Sequence, residues 1–291
     1  MARQPRSLAQ KVVVITGGGR GIGAATAGAL VAQGARVAIG DLDLETAEAT
    51  AAQLGGGTIA KRLDVTDRAG FTAFLDEVEA ELGPLDVLIN NAGIMPVTLA
   101  DEETDASIDR QIALNLTAVI HGTREATRRF KPRGAGHIVN IASIAGKGGF
   151  PGVATYCATK HGVVGYSEST RFELRGTGID VSCVMPGIVR TELTSGVEDA
   201  RFVKSLTPEQ VAAAIVGALQ KPHFDVFVPA YTKYVNNMMA VMPRSVREGI
   251  ARALKADQVM VSAAHSTERA AYEARAAAST PAAEERETLP V

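Results

Sequence analysis

At 291 residues, 46% of them hydrophobic and 21% charged, the chain is long enough for one large α/β domain or two small ones, and its composition excludes little beyond disorder. A formal net charge of -2, with no basic cluster, argues against nucleic acid as a partner, because phosphate binding needs gathered Lys and Arg. Two cysteines, Cys157 and Cys183, lack zinc-site spacing and are too few for a disulfide framework, so buried free thiols and a reducing, cytoplasmic setting are expected.

The run at 12–15 is Val-Val-Val-Ile, bounded by Gly17, Gly18 and Gly19, and an Ala-rich helix is predicted over 22–33. Although Arg3, Arg6 and Lys11 precede it, that run is too short for a signal peptide, and no stretch reaches the roughly 20 apolar residues of a membrane span. The alternation continues with strands over 36–41 and 58–65 and helices over 44–54 and 69–82. A fourth strand at 87–89 precedes one long helix over 104–130, with Ile108, Ile112, Leu116, Val119 and Ile120 near helical spacing. Then come a strand over 137–142, a helix over 154–175, a strand over 180–184, an irregular segment to 206, a helix opened by Thr207-Pro208 and a strand over 226–228. Seven strands that read as buried on both faces predict a Rossmann-type, doubly wound parallel sheet with helices on both sides.

Three regions follow: residues 1–230 as the sheet domain, 231–262 as an amphipathic helical extension, and 263–291 as a solvated helix or disordered tail. Within 231–242, Tyr231, Tyr234, Val235, Met238, Met239 and Met242 share one helical face. That face suits a substrate-channel cover, a subunit contact or an interfacial helix resting peripherally on a membrane.

Thr16 to Gly23 join the first strand to the first helix, where backbone N–H groups can receive a pyrophosphate. A tight structural turn would carry the same glycines. Asp41 ends the next strand, placed to accept the ribose hydroxyls of an adenosine and to repel a 2′-phosphate, which favours NAD(H) over NADP(H); a solvent-exposed strand-end acid is the plainer alternative. Arg20 in the turn pulls the other way, since it could hold a phosphate. Tyr156 and Lys160 lie four apart on one helix face, where an ammonium beside a phenol can favour the phenolate.

Together these features resemble the classical short-chain dehydrogenase/reductase (SDR) family over about residues 8–230. The resemblance rests on Thr16-Gly17-Gly18-Gly19-Arg20-Gly21-Ile22-Gly23, Asp64-Val65, Asn90-Asn91-Ala92-Gly93, Asn115, Ser143, Tyr156 with Lys160, and Pro186-Gly187-Ile188-Val189-Arg190-Thr191, all in the family's order. It implies an oxidoreductase that interconverts a secondary alcohol and a ketone, with Tyr156 as acid and base, Ser143 on the substrate oxygen, and Lys160 both lowering the Tyr156 pKa and binding the nicotinamide ribose. It also implies that Asn115 holds a relay water, although a polar residue that bends a helix is an equal reading. Asp64 and Val65 would flank the adenine, and Asn91, Ala92 and Gly93 would let backbone approach the cofactor. Gly17, Gly21, Ile22 and Gly23 would cradle it, and Pro186, Gly187, Val189 and Thr191 would meet the nicotinamide end.

No metal is expected, because none of the five histidines has ligand spacing. Substrate determinants are expected in 96–101, after Ala145 and in 190–206. Phe150 in the nearly uncharged stretch 146–152 favours an apolar substrate such as a steroid, a long-chain alcohol or a lipid-derived ketone. A homodimer or homotetramer is expected. Two alternatives are a cofactor-binding regulatory protein without turnover, disfavoured by the four filled catalytic positions, and a sugar-nucleotide epimerase or dehydratase, disfavoured by the absence of a sizeable C-terminal substrate domain.

Overall fold

The computed structural model describes residues 4–197, 205–253, 260–263 and 266–279. Its first strand, β1 (Val12–Thr16), is buried along its whole length. Side chains alternate across it: Val13 and Ile15 enter one core cluster with Ala27, Leu30, Val211 and Ile215, while Val12 and Val14 enter another with Phe71, Phe74, Leu75 and Phe130. A strand with both faces buried needs apolar residues at every position, which the Val-Val-Val-Ile run supplies.

Six further strands join it: β2 (Arg36–Asp41), β3 (Ile59–Arg62), β4 (Val87–Asn90), β5 (Gly136–Ile141), β6 (Ile179–Pro186) and β7 (Asp225–Val228). All pair in parallel, in the order β3-β2-β1-β4-β5-β6-β7, and Val13 lies between Val37 of β2 and Val87 of β4. The sheet is the seven-stranded, doubly wound one predicted. Helices α1 (Gly21–Val31) and α7 (Pro208–Gln220) pack together on one face, and α3 (Arg68–Leu82), α5 (Ala118–Phe130) and α6 (Ala154–Glu173) cover the other; α2 (Leu44–Leu54) joins β2 to β3. Chain order reverses between β1 and β4, so a crevice opens at their carboxyl ends.

Helix starts follow local chemistry. Asp43 and Asp67 accept hydrogen bonds from the amides of Thr46 and Gly70, and Thr207 with Gln210 forms a capping box behind Pro208. The helix expected over 104–130 is interrupted. Helix α4 (Asp105–Ile112) runs into a single π-helical turn, Ala113–Thr117, before α5 begins. Within that wide turn the Asn115 side chain pairs with both main-chain groups of Ile94, accepting from its N–H at 2.8 Å and donating to its carbonyl at 2.8 Å. Such bulges commonly sit at functional positions.

Beyond β7 come α8 (Thr232–Val241) and α9 (Arg244–Ala253). The apolar face of the first is open, with Tyr234 75% and Met238 50% exposed. Residues 263–291 depart from the solvated reading where they are described. Helix α10 (Ala270–Ala278) buries Tyr272 and Ala276 on the body of the protein, and Arg269 just before it is 2% exposed. Residues 264, 265 and those from 280 onward lie outside the described residues. No helix among the described residues is long and apolar enough to cross a membrane.

The turn after β1 depends on missing side chains at two places. Gly17 has φ +64°, and a Cβ there would come within 2.8 Å of the Ala92 Cα. A Cβ at Gly23 would run into the Gly17 carbonyl oxygen and lie 2.8 Å from both the Gly18 Cα and the Asn91 Nδ2. These neighbours are mostly backbone and cannot swing aside. Gly23→Ala is therefore expected to destabilise the protein by about 1–3 kcal/mol, as overpacking does, seen as a lower urea midpoint at constant slope; an unchanged midpoint contradicts this packing.

Candidate active site

The crevice at the strand ends holds a cavity of about 630 Å3, within the range of ligand pockets. Of the residues singled out from the sequence, Gly17, Arg20, Gly21, Ile22, Asp41, Asp64 and Val65 line one end of it. Ser143, Tyr156, Lys160, Pro186, Gly187 and Val189 line the other, and Asn91, Ala92, Gly93 and Thr191 also line it, Thr191 beside Gly21 of the glycine turn. Gly23 and Asn115 stand behind the wall rather than on it: Gly23 supports the turn, and Asn115 is fully buried.

At the first end, the Asp41 carboxylate accepts from the amides of Gly19 at 2.9 Å and Asp43 at 3.1 Å, which ties the end of β2 to the glycine turn. Arg20 is held by Asp43 and by Thr46, and it donates to Glu192 at 3.2 Å, so its charge is already met by two carboxylates. Asn91 acts through the turn. Its Nδ2 donates to the carbonyls of Thr16 and Gly17 at 2.9 and 2.8 Å, while its own amide donates to the Thr16 hydroxyl. Asp64 accepts from the Thr66 amide and hydroxyl, which fixes the bend after β3. An open turn of glycines facing an acid at the next strand end fits an adenosine diphosphate, because backbone amides can approach a pyrophosphate there without obstruction.

At the other end, Tyr156 and Lys160 project from one face of α6 and are almost fully buried, as is Ser143 after β5. The Lys160 ammonium donates to the Ile141 carbonyl at 2.9 Å and sits 5.5 Å from the centre of the Tyr156 ring. A side chain on Gly93 would fall 2.9 Å from the Asn115 Oδ1 and 3.8 Å from the Lys160 Nζ, so both groups border one glycine. Burial sets the proton equilibria. It pushes the Tyr156 phenol up to about 12 against an opposing hydrogen bond with Ser143, and it pulls the Lys160 ammonium down to about 8. The sequence reading has Lys160 lowering the phenol's pKa, yet in the chain alone the phenol rises. Desolvation of the phenolate outweighs the Ser143 hydrogen bond that opposes it, while the Lys160 nitrogen is turned to the Ile141 carbonyl.

The remaining wall is apolar and partly unforeseen. Phe150 lines it as the sequence suggested, with Val153 and Leu193, but Met95, Met260 and Tyr272 do so as well. Residues 96–101 and 231–242 do not contribute lining; the cover comes instead from α10, through Tyr272, Arg275, Ala276 and Ala278. Part of the expected segment 190–206, residues 198–204, lies outside the described residues. The only trace of α10 in the sequence is an Arg269–Glu273 pair with Tyr272 and Ala276 four apart, a signal that any surface helix can carry.

A family model described as short chain dehydrogenase matches residues 11–201. Among similar proteins, a sorbitol dehydrogenase of Cereibacter sphaeroides is 41% identical over 193 residues, covering 66% of this chain and 75% of the relative. A 3-alpha-(or 20-beta)-hydroxysteroid dehydrogenase of Mycobacterium tuberculosis is 39% identical over 196 residues, 67% of this chain and 75% of the relative. A D-threitol dehydrogenase of Mycolicibacterium smegmatis is 38% identical over 219 residues, 71% and 84% of the two chains. By the matched segment, these identities and the parallel sheet with its glycine turn, the chain belongs to the short-chain dehydrogenase family, whose members bind a nicotinamide dinucleotide.

Proposed function

We propose that the protein is an NAD(H)-dependent oxidoreductase that interconverts an apolar secondary alcohol and its ketone, with Tyr156 exchanging the carbinol proton. The reading is carried by one arrangement: buried Tyr156, Lys160 and Ser143 at one end of a cavity whose other end is the glycine turn and Asp41.

When bound, the nicotinamide would take or supply the hydride and, in its oxidised form, place a positive charge near the phenol. The rest is the work of this chain. Ser143, whose hydroxyl accepts from the Ala145 amide at 3.1 Å, is held where it can orient a substrate oxygen beside Tyr156. The phenol is protonated at neutral pH and carries the proton that ketone reduction requires. For alcohol oxidation it must act as a base, and its rise from 10.0 to about 12 corresponds to about 3 kcal/mol against the phenolate. A unit positive charge within roughly 5 Å, at an effective dielectric near 20, is worth about 3 kcal/mol, so the penalty and its remedy are of one size. Lys160, brought down to about 8, can pass a proton near neutrality.

Asp41 supports the choice of NAD(H), because a 2′-phosphate near it would meet a like charge while Arg20 is already paired to Asp43 and Glu192. The substrate class follows from the wall of Met95, Phe150, Val153, Leu193 and Met260, which offers a polyol few partners and a hydrocarbon frame many contacts. The named activity of the hydroxysteroid relative matches this chemistry better than those of the two polyol dehydrogenases.

Tyr156→Phe is expected to lower turnover by roughly 10²–10⁴-fold while the NADH dissociation constant moves less than about threefold; near-normal turnover would defeat the mechanism. Asp41→Asn keeps an oxygen for the Gly19 amide but removes the charge, and the ratio of kcat/KM for NAD+ over NADP+ should fall by about tenfold or more. A ratio that stays put contradicts the assignment of Asp41.

A further inference from the structure

We infer that α10 is a specificity element of the active site, latched across the cavity by Arg269, a positioning residue, with Tyr272 as the side chain that shapes the substrate wall. The inference rests on the apolar-alcohol reading above.

Arg269 is 2% exposed and lies outside the matched family segment. A buried guanidinium is tolerable only when its donors are met, and here they are met by main chain of two separate segments. Its Nη1 donates to the carbonyls of Leu193 at 3.0 Å and Ser195 at 2.9 Å, its Nη2 to that of Met95 at 2.8 Å, and its Nε to Glu273 at 3.0 Å. Glu273 in turn accepts from the Val97 amide at 3.3 Å, and the Tyr272 hydroxyl accepts from the Met95 amide at 2.7 Å. The segment after β4 and the segment after β6 are thus tied to α10 through one cation, and each carries a cavity-wall side chain, Met95 and Leu193.

Tyr272 lines the same cavity, and its ring packs 5.0 Å beneath the Arg269 guanidinium. Burial raises its phenol, and Tyr156 lines the same cavity. The second latch is exposed: Arg275 donates to Glu192 at 2.8 Å, and Glu192 also receives Arg20. Because α10 meets the walls and not the Tyr156–Lys160 pair by hydrogen bonds, loosening it should affect how a large substrate is held more than how fast it reacts.

The test uses the full chain with Arg269→Met, Arg269→Lys and Tyr272→Phe, read by amide hydrogen exchange and by kinetics on a polycyclic secondary alcohol and on cyclohexanol. Arg269→Met should speed exchange of the Met95 and Val97 amides about tenfold or more, and raise KM for the polycyclic alcohol about tenfold with kcat and the cyclohexanol KM each moving less than about threefold. Arg269→Lys should restore part of this, because an ammonium cannot fork between three carbonyls. Should Arg269→Met not fold, Tyr272→Phe keeps the ring and removes only the acceptor of the Met95 amide, so faster exchange confined to that amide is the expected result. Unchanged exchange in these variants overturns the latch. Faster exchange with equal losses on both alcohols overturns the specificity role and leaves a structural strut. A parent chain that turns over neither alcohol sinks the substrate reading instead, and the exchange result then decides the latch by itself.

Discussion

The chemistry of this site is governed by the cost of keeping charge away from water. Tyr156 and Lys160 sit one helical turn apart under less than a tenth of their free exposure, and burial moves both toward their neutral forms, to about 12 and about 8. A neutral phenol beside an amine that is still mostly protonated at pH 7, yet can release its proton just above neutrality, needs further positive charge before it ionises. Whatever positive group enters the cavity acts in a medium where a single charge is worth several times its value in bulk water. The same burial that raises the barrier to ionisation therefore strengthens the means of overcoming it.

The rest of the fold serves to bring such a charge to that place. Parallel strands and the chain reversal between β1 and β4 make the crevice; the glycine turn leaves room on one side of it, and Asn91 pins that turn by two carbonyls. The π-helical turn brings the Asn115 amide against Ile94, so the loop that leaves β4 is fixed at its start by Asn115 and a little further on by Arg269 and Tyr272. Two elements remote in sequence thus hold one short wall segment.

Much of this was legible in the residues. Short continuous apolar runs marked β1 and β4, Gly17 to Gly23 marked the turn, and the Tyr156–Lys160 spacing marked one face of α6, because each depends on local periodicity or on a backbone that only glycine allows. The parts that were not legible depend on main-chain partners. Arg269 bonds to the carbonyls of Met95, Leu193 and Ser195, and any residue at those positions would present the same carbonyls. Its helix reads as solvated because the buried side chains are Ala276, Tyr272 and, just before it, a whole arginine, a residue type that is mostly exposed. Likewise a single π turn adds one residue to a helix without disturbing its apolar spacing enough to be seen, so 104–130 read as one rod. The apolar face of α8, by contrast, was plain from its spacing, yet it lies exposed in this chain.

The account stands or falls on the ionisation of one phenol. Ultraviolet difference titration of tyrosinate, parent minus Tyr156→Phe, should place Tyr156 at about 12 in the free protein and lower it by about 2 units or more once saturating NAD+ is bound. A midpoint that is the same with and without NAD+ would contradict the claim that a bound positive ring offsets the cost of burial.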